Sequence, residues 1–192
     1  MKIRALLLAS IVAVPAYGAD TLEIDPEHSA VLFSWNHIGI SNPVARLEKI
    51  QGTVILDQVD PAKSSVTVTM PLDGLRTGSE ALDKVIKRDT FLDAERFPEI
   101  TFKSTGLKMT GPKTFKLSGE LTAHGITKPV ILDAKVNGIA PNGFSGVLQA
   151  GFDADVVVRR SDFDAARFAP AVTDELKVHI TVETHGPEKD ES

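Results

Sequence analysis

The sequence predicts an all-β protein: an antiparallel eight-stranded sheet closed into a barrel, with one short helical insertion. Three observations carry this. Apolar and polar residues alternate along most of the chain, the period-two pattern of strands with one covered face. The clearest pair of such runs, Phe115 to Ala123 and Val130 to Val136, flanks His124-Gly125-Ile126-Thr127-Lys128-Pro129 and reads as an antiparallel hairpin. Only one segment, after Ser79, has helical spacing. A one-faced sheet must cover its apolar side, and closing on itself also removes the exposed edges. A two-sheet sandwich is the alternative. An eight-stranded barrel is wide enough to hold one small ligand.

The first strand is placed at residues 28–38, with Val31, Phe33, Trp35 and His37 on one face. Gly39 to Pro43 turns, and a second strand spans Val44 to Leu56, with Gly52 at a bulge or bend. Asp60-Pro61 marks a loop, and Ser65 to Leu72 is a third strand with Val66, Val68 and Met70 on one side. Thr77-Gly78-Ser79-Glu80 fits a capping box, and Leu82, Val85 and Ile86 follow at helical spacing, with Asp83 and Lys87 as an i,i+4 pair. Phe91 to Phe97 is irregular and aromatic. Glu99 to Ser104 is a strand, then comes the hairpin. Phe152, Ala154, Val156, Val158 and Arg160 share a parity in a strand within Phe144 to Arg160, and Glu175 to Thr184 is the last strand.

The chain has 192 residues, 42% hydrophobic and 24% charged, enough for one domain with a sizeable core. A net charge of −5 without a basic run argues against a nucleic-acid surface. Lys2 and Arg4 precede an apolar run, Ala5 to Val14, too short to cross a bilayer, followed by small residues. This describes a cleavable secretory signal peptide. Cleavage after Gly18 places Ala16 and Gly18 at the recognition positions. The expected organisation is therefore a signal peptide at 1–18, a barrel at 19–185 and a charged disordered tail at 186–192. With no cysteine, the exported chain has no disulfide and no lipidated thiol. No later apolar run is long enough to span a membrane, so the mature protein is expected to be soluble.

Catalytic signatures are sparse. No two of the five histidines have zinc-motif spacing, no Gly-x-Ser-x-Gly occurs, and no glycine loop cradles phosphate. Two features stand out instead. The inward parity is aromatic: Phe33, Trp35, Phe102, Phe115 and Phe152, with Phe91, Phe97 and Phe163 in adjoining segments. Arg160 ends an apolar face, where a guanidinium would either hold an anionic head group or pair with Asp162 or another carboxylate.

Further motifs run in order through the chain: Ile24-Asp25-Pro26, His28-Ser29, Phe33-Ser34, His37-x-Gly39-x-Ser41, and Leu75-x-Thr77-Gly78. They continue with Asp93-x-x-x-Phe97-Pro98-x-Ile100-Thr101-Phe102-Lys103-Ser104-Thr105, Gly119-x-Leu121-Thr122-x-His124-Gly125-x-Thr127-Lys128-Pro129-Val130, Arg160-Ser161-Asp162-Phe163 and Asp174-Glu175. In these the chain resembles the YceI-like family of exported, lipid-binding proteins associated with polyisoprenoids. The resemblance implies an extended, lipocalin-like antiparallel barrel with a lipid tail in its bore and no established catalytic residues. The chain departs from the family pattern at Ala45-Arg46-Leu47, at Val85 and at Asp164.

The expectation is thus a periplasmic or secreted carrier or store, not an enzyme, without cofactor or metal. Its partner is one long isoprenoid, a quinone or a polyprenyl phosphate, or another fatty amphiphile. The ligand-binding residues expected are Val31, Phe33, Trp35, His37, Phe91, Phe97, Phe102, Phe152, Val156, Val158, Arg160 and Phe163. An enzyme acting on a lipid head group through His28, His37 or His124 is the rival, as is a ligand-free interaction module. The sequence leaves the oligomeric state open, a homodimer included.

Overall fold

The computed structural model describes residues 18–187. The signal peptide, apart from Gly18, and residues 188–192 of the tail lie outside the described residues.

Eleven strands build the barrel. They are β1 (Asp20–Ile24), β2 (Ala30–Ser34), β3 (Val44–Leu47), β4 (Gln51–Leu56), β5 (Ser65–Pro71), β6 (Leu75–Arg76) and β7 (Glu99–Met109). Then follow β8 (Thr114–Ala123), β9 (Ile126–Pro141), β10 (Leu148–Arg159) and β11 (Glu175–His185). Every pairing is antiparallel, in the order β1-β4-β5-β7-β8-β9-β10-β11-β2-β3-β6, and β1 also pairs with β11. Glu23 opposite His185 and Ile24 opposite Thr184 close the ring, with eight strands around it. No edge is left around that circuit.

The closed barrel agrees with the fold expected, but several strands are broken. The chain at 28–38 is regular only over β2; β1, which the sequence reading omitted, precedes it and pairs with the same last strand. The run 44–56 splits at residues 48–50. Lys49 has φ 59°, a conformation costly for a side chain with a Cβ, and Glu48 N donates to Gly74 O at 3.0 Å. The break turns Ile50 fully inward, at 0% exposure.

The hairpin between β8 and β9 is tight. His124 (φ 50°) and Gly125 (φ 72°) are its two central residues, the positive-φ pair of a type I′ turn. A Cβ at Gly125 would meet the Phe97 ring.

The helix, α1 (Glu80–Ile86), is capped two residues later than the sequence reading places it. Ser79 Oγ accepts from Leu82 N at 3.4 Å. Thr77 instead donates from N and Oγ1 to Asp83 Oδ1, at 2.7 and 2.6 Å. Asp83 is thereby committed to Thr77, and the i,i+4 ion pair is Lys84 with Glu80 at 2.7 Å.

Packing inside the barrel follows the parity. Phe115, Leu117, Leu132, Ala134 and Ala154 are buried in one cluster with Phe102 and Met70. A smaller cluster of Leu22, Val54, Leu56 and Ala150 joins β1, β4 and β10. Gly119 is required by its neighbour: a Cβ there would intrude on the Phe102 ring.

Candidate functional site: an apolar bore

The inward faces do not meet across the barrel. They surround a cavity of about 610 Å³. Its walls come from β1–β5 and β7–β11, and nearly all are apolar, because each strand contributes the same alternate residues that the pattern assigns inward.

The two ends differ. One is floored by Leu92, Phe163, Ala165 and Arg160, of which Phe163 and Ala165 are 4% and 5% exposed. The chain from α1 to Pro98 and the loop 160–174 form this closed end. At the other end, Gln58, Met109, Pro112, Lys113 and Gly138 line the cavity and are exposed, so the bore opens there.

Of the residues singled out in the sequence, Val31, Phe33, Phe102, Phe152, Val156, Val158, Arg160 and Phe163 line the cavity. Trp35, His37, Phe91 and Phe97 do not. Trp35 is buried in the closed-end core, its ring centroid 6.0 Å from that of Phe33. His37 is exposed and its N donates to Ser41 O at 2.8 Å, because regular pairing of that strand ends at Ser34. Phe91 packs on Phe168 at 6.0 Å, and Phe97 meets the His124 ring edge-on at 5.1 Å. Lining residues not among those singled out include Val68, Met70, Leu132 and Ile180, which the inward parity already marked. Leu92 and Ala165 carried no such signal, since both sit in irregular chain.

Arg160 serves the loop. Its guanidinium donates from Nε to Thr173 O (2.9 Å), from Nη1 to Ala165 O (2.8 Å) and Arg167 O (3.2 Å), and from Nη2 to Val172 O (2.8 Å). Four of its five N–H groups are thus engaged by carbonyls. Burial lowers its pKa from the ordinary value, with Asp174 opposing that shift. Asp162 lies instead 3.7 Å from Arg159.

No described histidine lines the bore. His28 Nδ1 is 2.6 Å from Asp25 Oδ2 and His179 Nδ1 is 2.8 Å from Asp155 Oδ1, both exposed pairs away from the cavity. His124 Nδ1 is bonded to Phe163 O at 2.9 Å. Acid–base chemistry needs such a pair within reach of the bound molecule, and these three are spent elsewhere. Asp25, His28 and Glu183 stand close enough to share one cation, on the outside of the barrel.

A model of the YceI-like domain matches residues 22–184. The chain belongs to the YceI-like family. A UPF0312 protein of Pseudomonas syringae pv. tomato is 33% identical over 180 residues, covering 93% of each chain. Among solved structures, Burkholderia cenocepacia BcnA superposes with a TM-score of 0.75 at 20% identity, over 83% of this chain and 98% of BcnA. A polyisoprenoid binding domain from Saccharophagus degradans, implicated in plant cell wall breakdown, superposes with a TM-score of 0.67 at 12% identity. That likeness covers 88% of this chain and 99% of the other. Among the described residues, no helix is long and apolar enough to cross a membrane.

Proposed function

We propose that this YceI-like protein is an exported carrier or store that holds one long-chain isoprenoid, a quinone or polyprenyl phosphate, or another fatty amphiphile in its bore. The observation that carries this is the apolar cavity of about 610 Å³ inside the barrel, open at one end. The polyisoprenoid-binding description of the Saccharophagus degradans domain supports the ligand class. The basic start and apolar run at Lys2 to Val14 support export, to the periplasm or beyond.

Energetics favour a long tail. Burial contributes roughly 0.8 kcal/mol per methylene, and association costs an estimated ~4–15 kcal/mol. A tail of about ten carbons barely breaks even on those figures, while a longer chain has a surplus. The tail lies toward Phe163, where Arg160 has little donor capacity left for an anion. The polar head stays at the open end, beside Gln58, Ser64 and Lys113. Binding, not catalysis, is the role this arrangement fits.

Native mass spectrometry of gently purified protein tests the reading. Protein carrying one apolar molecule, recoverable by solvent extraction, is expected. Protein that is empty and ignores added polyprenol and ubiquinone would overturn it.

A further inference from the structure

The open end of the bore is ringed by exposed apolar turn tips. Val59, between β4 and β5, is 76% exposed; Met109, ending β7, is 40% exposed; Phe144, between β9 and β10, is 104% exposed. They share one rim. Gln58 and Pro61 flank Val59 and line the cavity, as do Met109 itself and the Gly138-Ile139 stretch that leads to the turn bearing Phe144. That turn is held in shape by Asn142, whose Oδ1 accepts from Phe144 N at 2.8 Å and Ser145 N at 3.1 Å.

The rim's charges point the same way. Its acids are engaged locally: Asp57 Oδ1 accepts from Val59 N and Asp60 N, Asp60 pairs with Lys63 at 3.3 Å, and Asp20 accepts from Gln58 at 3.2 Å. Lys108 and Lys113 have no carboxylate partner among the described residues, whereas Lys116 and Lys135 on the adjoining strands do. Exposed apolar tips beside free lysines match the boundary layer of an anionic membrane. A second copy of the chain fits less well, because a two-fold contact through this rim would bring the same lysines together.

We propose that the mouth rim docks on an anionic lipid bilayer, Val59, Met109 and Phe144 entering the head-group layer while Lys108 and Lys113 meet phosphates. The proposal rests on reading the bore as a lipid site: docked mouth-first, the opening faces the source of its ligand.

Co-flotation with vesicles of phosphatidylcholine and phosphatidylglycerol (3:1), against phosphatidylcholine alone, tests it. The protein is purified from cells and its N-terminus fixed by mass. Binding to the anionic vesicles is expected, falling at least about tenfold in the Val59→Ser/Met109→Ser/Phe144→Ser variant and in Lys108→Glu/Lys113→Glu. Exposed residues at the closed end, Ile40 and Phe168, provide the control: Ile40→Ser/Phe168→Ser retains binding. Because the chain has no cysteine, a single Ser145→Cys accepts an environment-sensitive dye. Its emission shifts to the blue on anionic vesicles, and that of dye at Ser41→Cys does not. No binding, equal binding to both vesicles, undiminished binding by the rim variants, or loss through the closed-end variant overturns docking by this face. Vesicle binding reads the protein and not its cargo, so failure here leaves the lipid found by mass spectrometry as a separate result.

Discussion

Arg160 Nη2 donates to the Val172 carbonyl at 2.8 Å, and three further bonds from the same guanidinium hold Thr173, Ala165 and Arg167. One side chain therefore fastens the loop that floors the bore. Arg160→Ala is expected to destabilise the protein by about 2–3 kcal/mol, the scale of lost bonds from a charged donor. Arg160→Lys should recover little of this, because an ammonium cannot reproduce the planar fork. Denaturant titration reads both, and hydrogen exchange should show new opening within residues 165–173. Wild-type stability in Arg160→Ala would contradict the role.

Phe102 occupies the space a side chain at Gly119 would need. Gly119→Ala is expected to cost about 1–3 kcal/mol through overpacking. Phe102→Leu, which vacates the ring volume, should recover part of that cost in the double variant, the rest remaining because the Lys103 carbonyl lies 2.7 Å from the added Cβ. Additive costs in that cycle, measured by urea unfolding, would show that the two positions do not compete for one space.

Much of this was legible in the sequence for a plain reason. Strand parity is a local property, so Phe115 through Ala123 and Val130 through Val136 announce their inward side wherever the barrel lies. The helix was visible too, yet its cap was not, since Thr77 and Ser79 both offer a hydroxyl and only the geometry shows Asp83 bonding to Thr77. Breaks were harder. Lys49 adopts a positive φ because Glu48 pairs with the Gly74 carbonyl, a contact across 26 positions that no periodicity reveals. Arg160 has the same difficulty: its partners are backbone carbonyls, which carry no residue-type signal. Trp35 and His37 continue the parity of β2 on paper, but the strand stops at Ser34.

Asp25 and His28 support a pH prediction. Their hydrogen bond holds the His28 pKa above its ordinary 6.5, and pulls Asp25 below its ordinary 3.8 against the opposing effect of burial. The histidine's contribution is complete below 6.5 and is lost as pH rises through its raised value. The aspartate's is complete above 3.8 and is lost as pH falls through its lowered value. The pair thus contributes most between 3.8 and 6.5. His28→Gln should lower the melting temperature more at pH 5.5 than at pH 8.5. A pH-independent difference would remove the ion pair as its cause.

Ala134 and Ala154 face each other across β9 and β10, both on the bore. Two small residues at opposed positions keep that wall thin, so one large side chain there should block the lumen. Ala154→Trp is expected to fold, because the added volume enters an existing cavity and not a packed core. Lipid recovered by solvent extraction and weighed against protein by mass spectrometry, compared between wild type and Ala154→Trp, tests the hollow barrel most directly. Near one apolar molecule per wild-type chain and at least about tenfold less in a folded variant is the result expected from steric exclusion. Equal lipid in both proteins, or none in either, would contradict a ligand held in the bore.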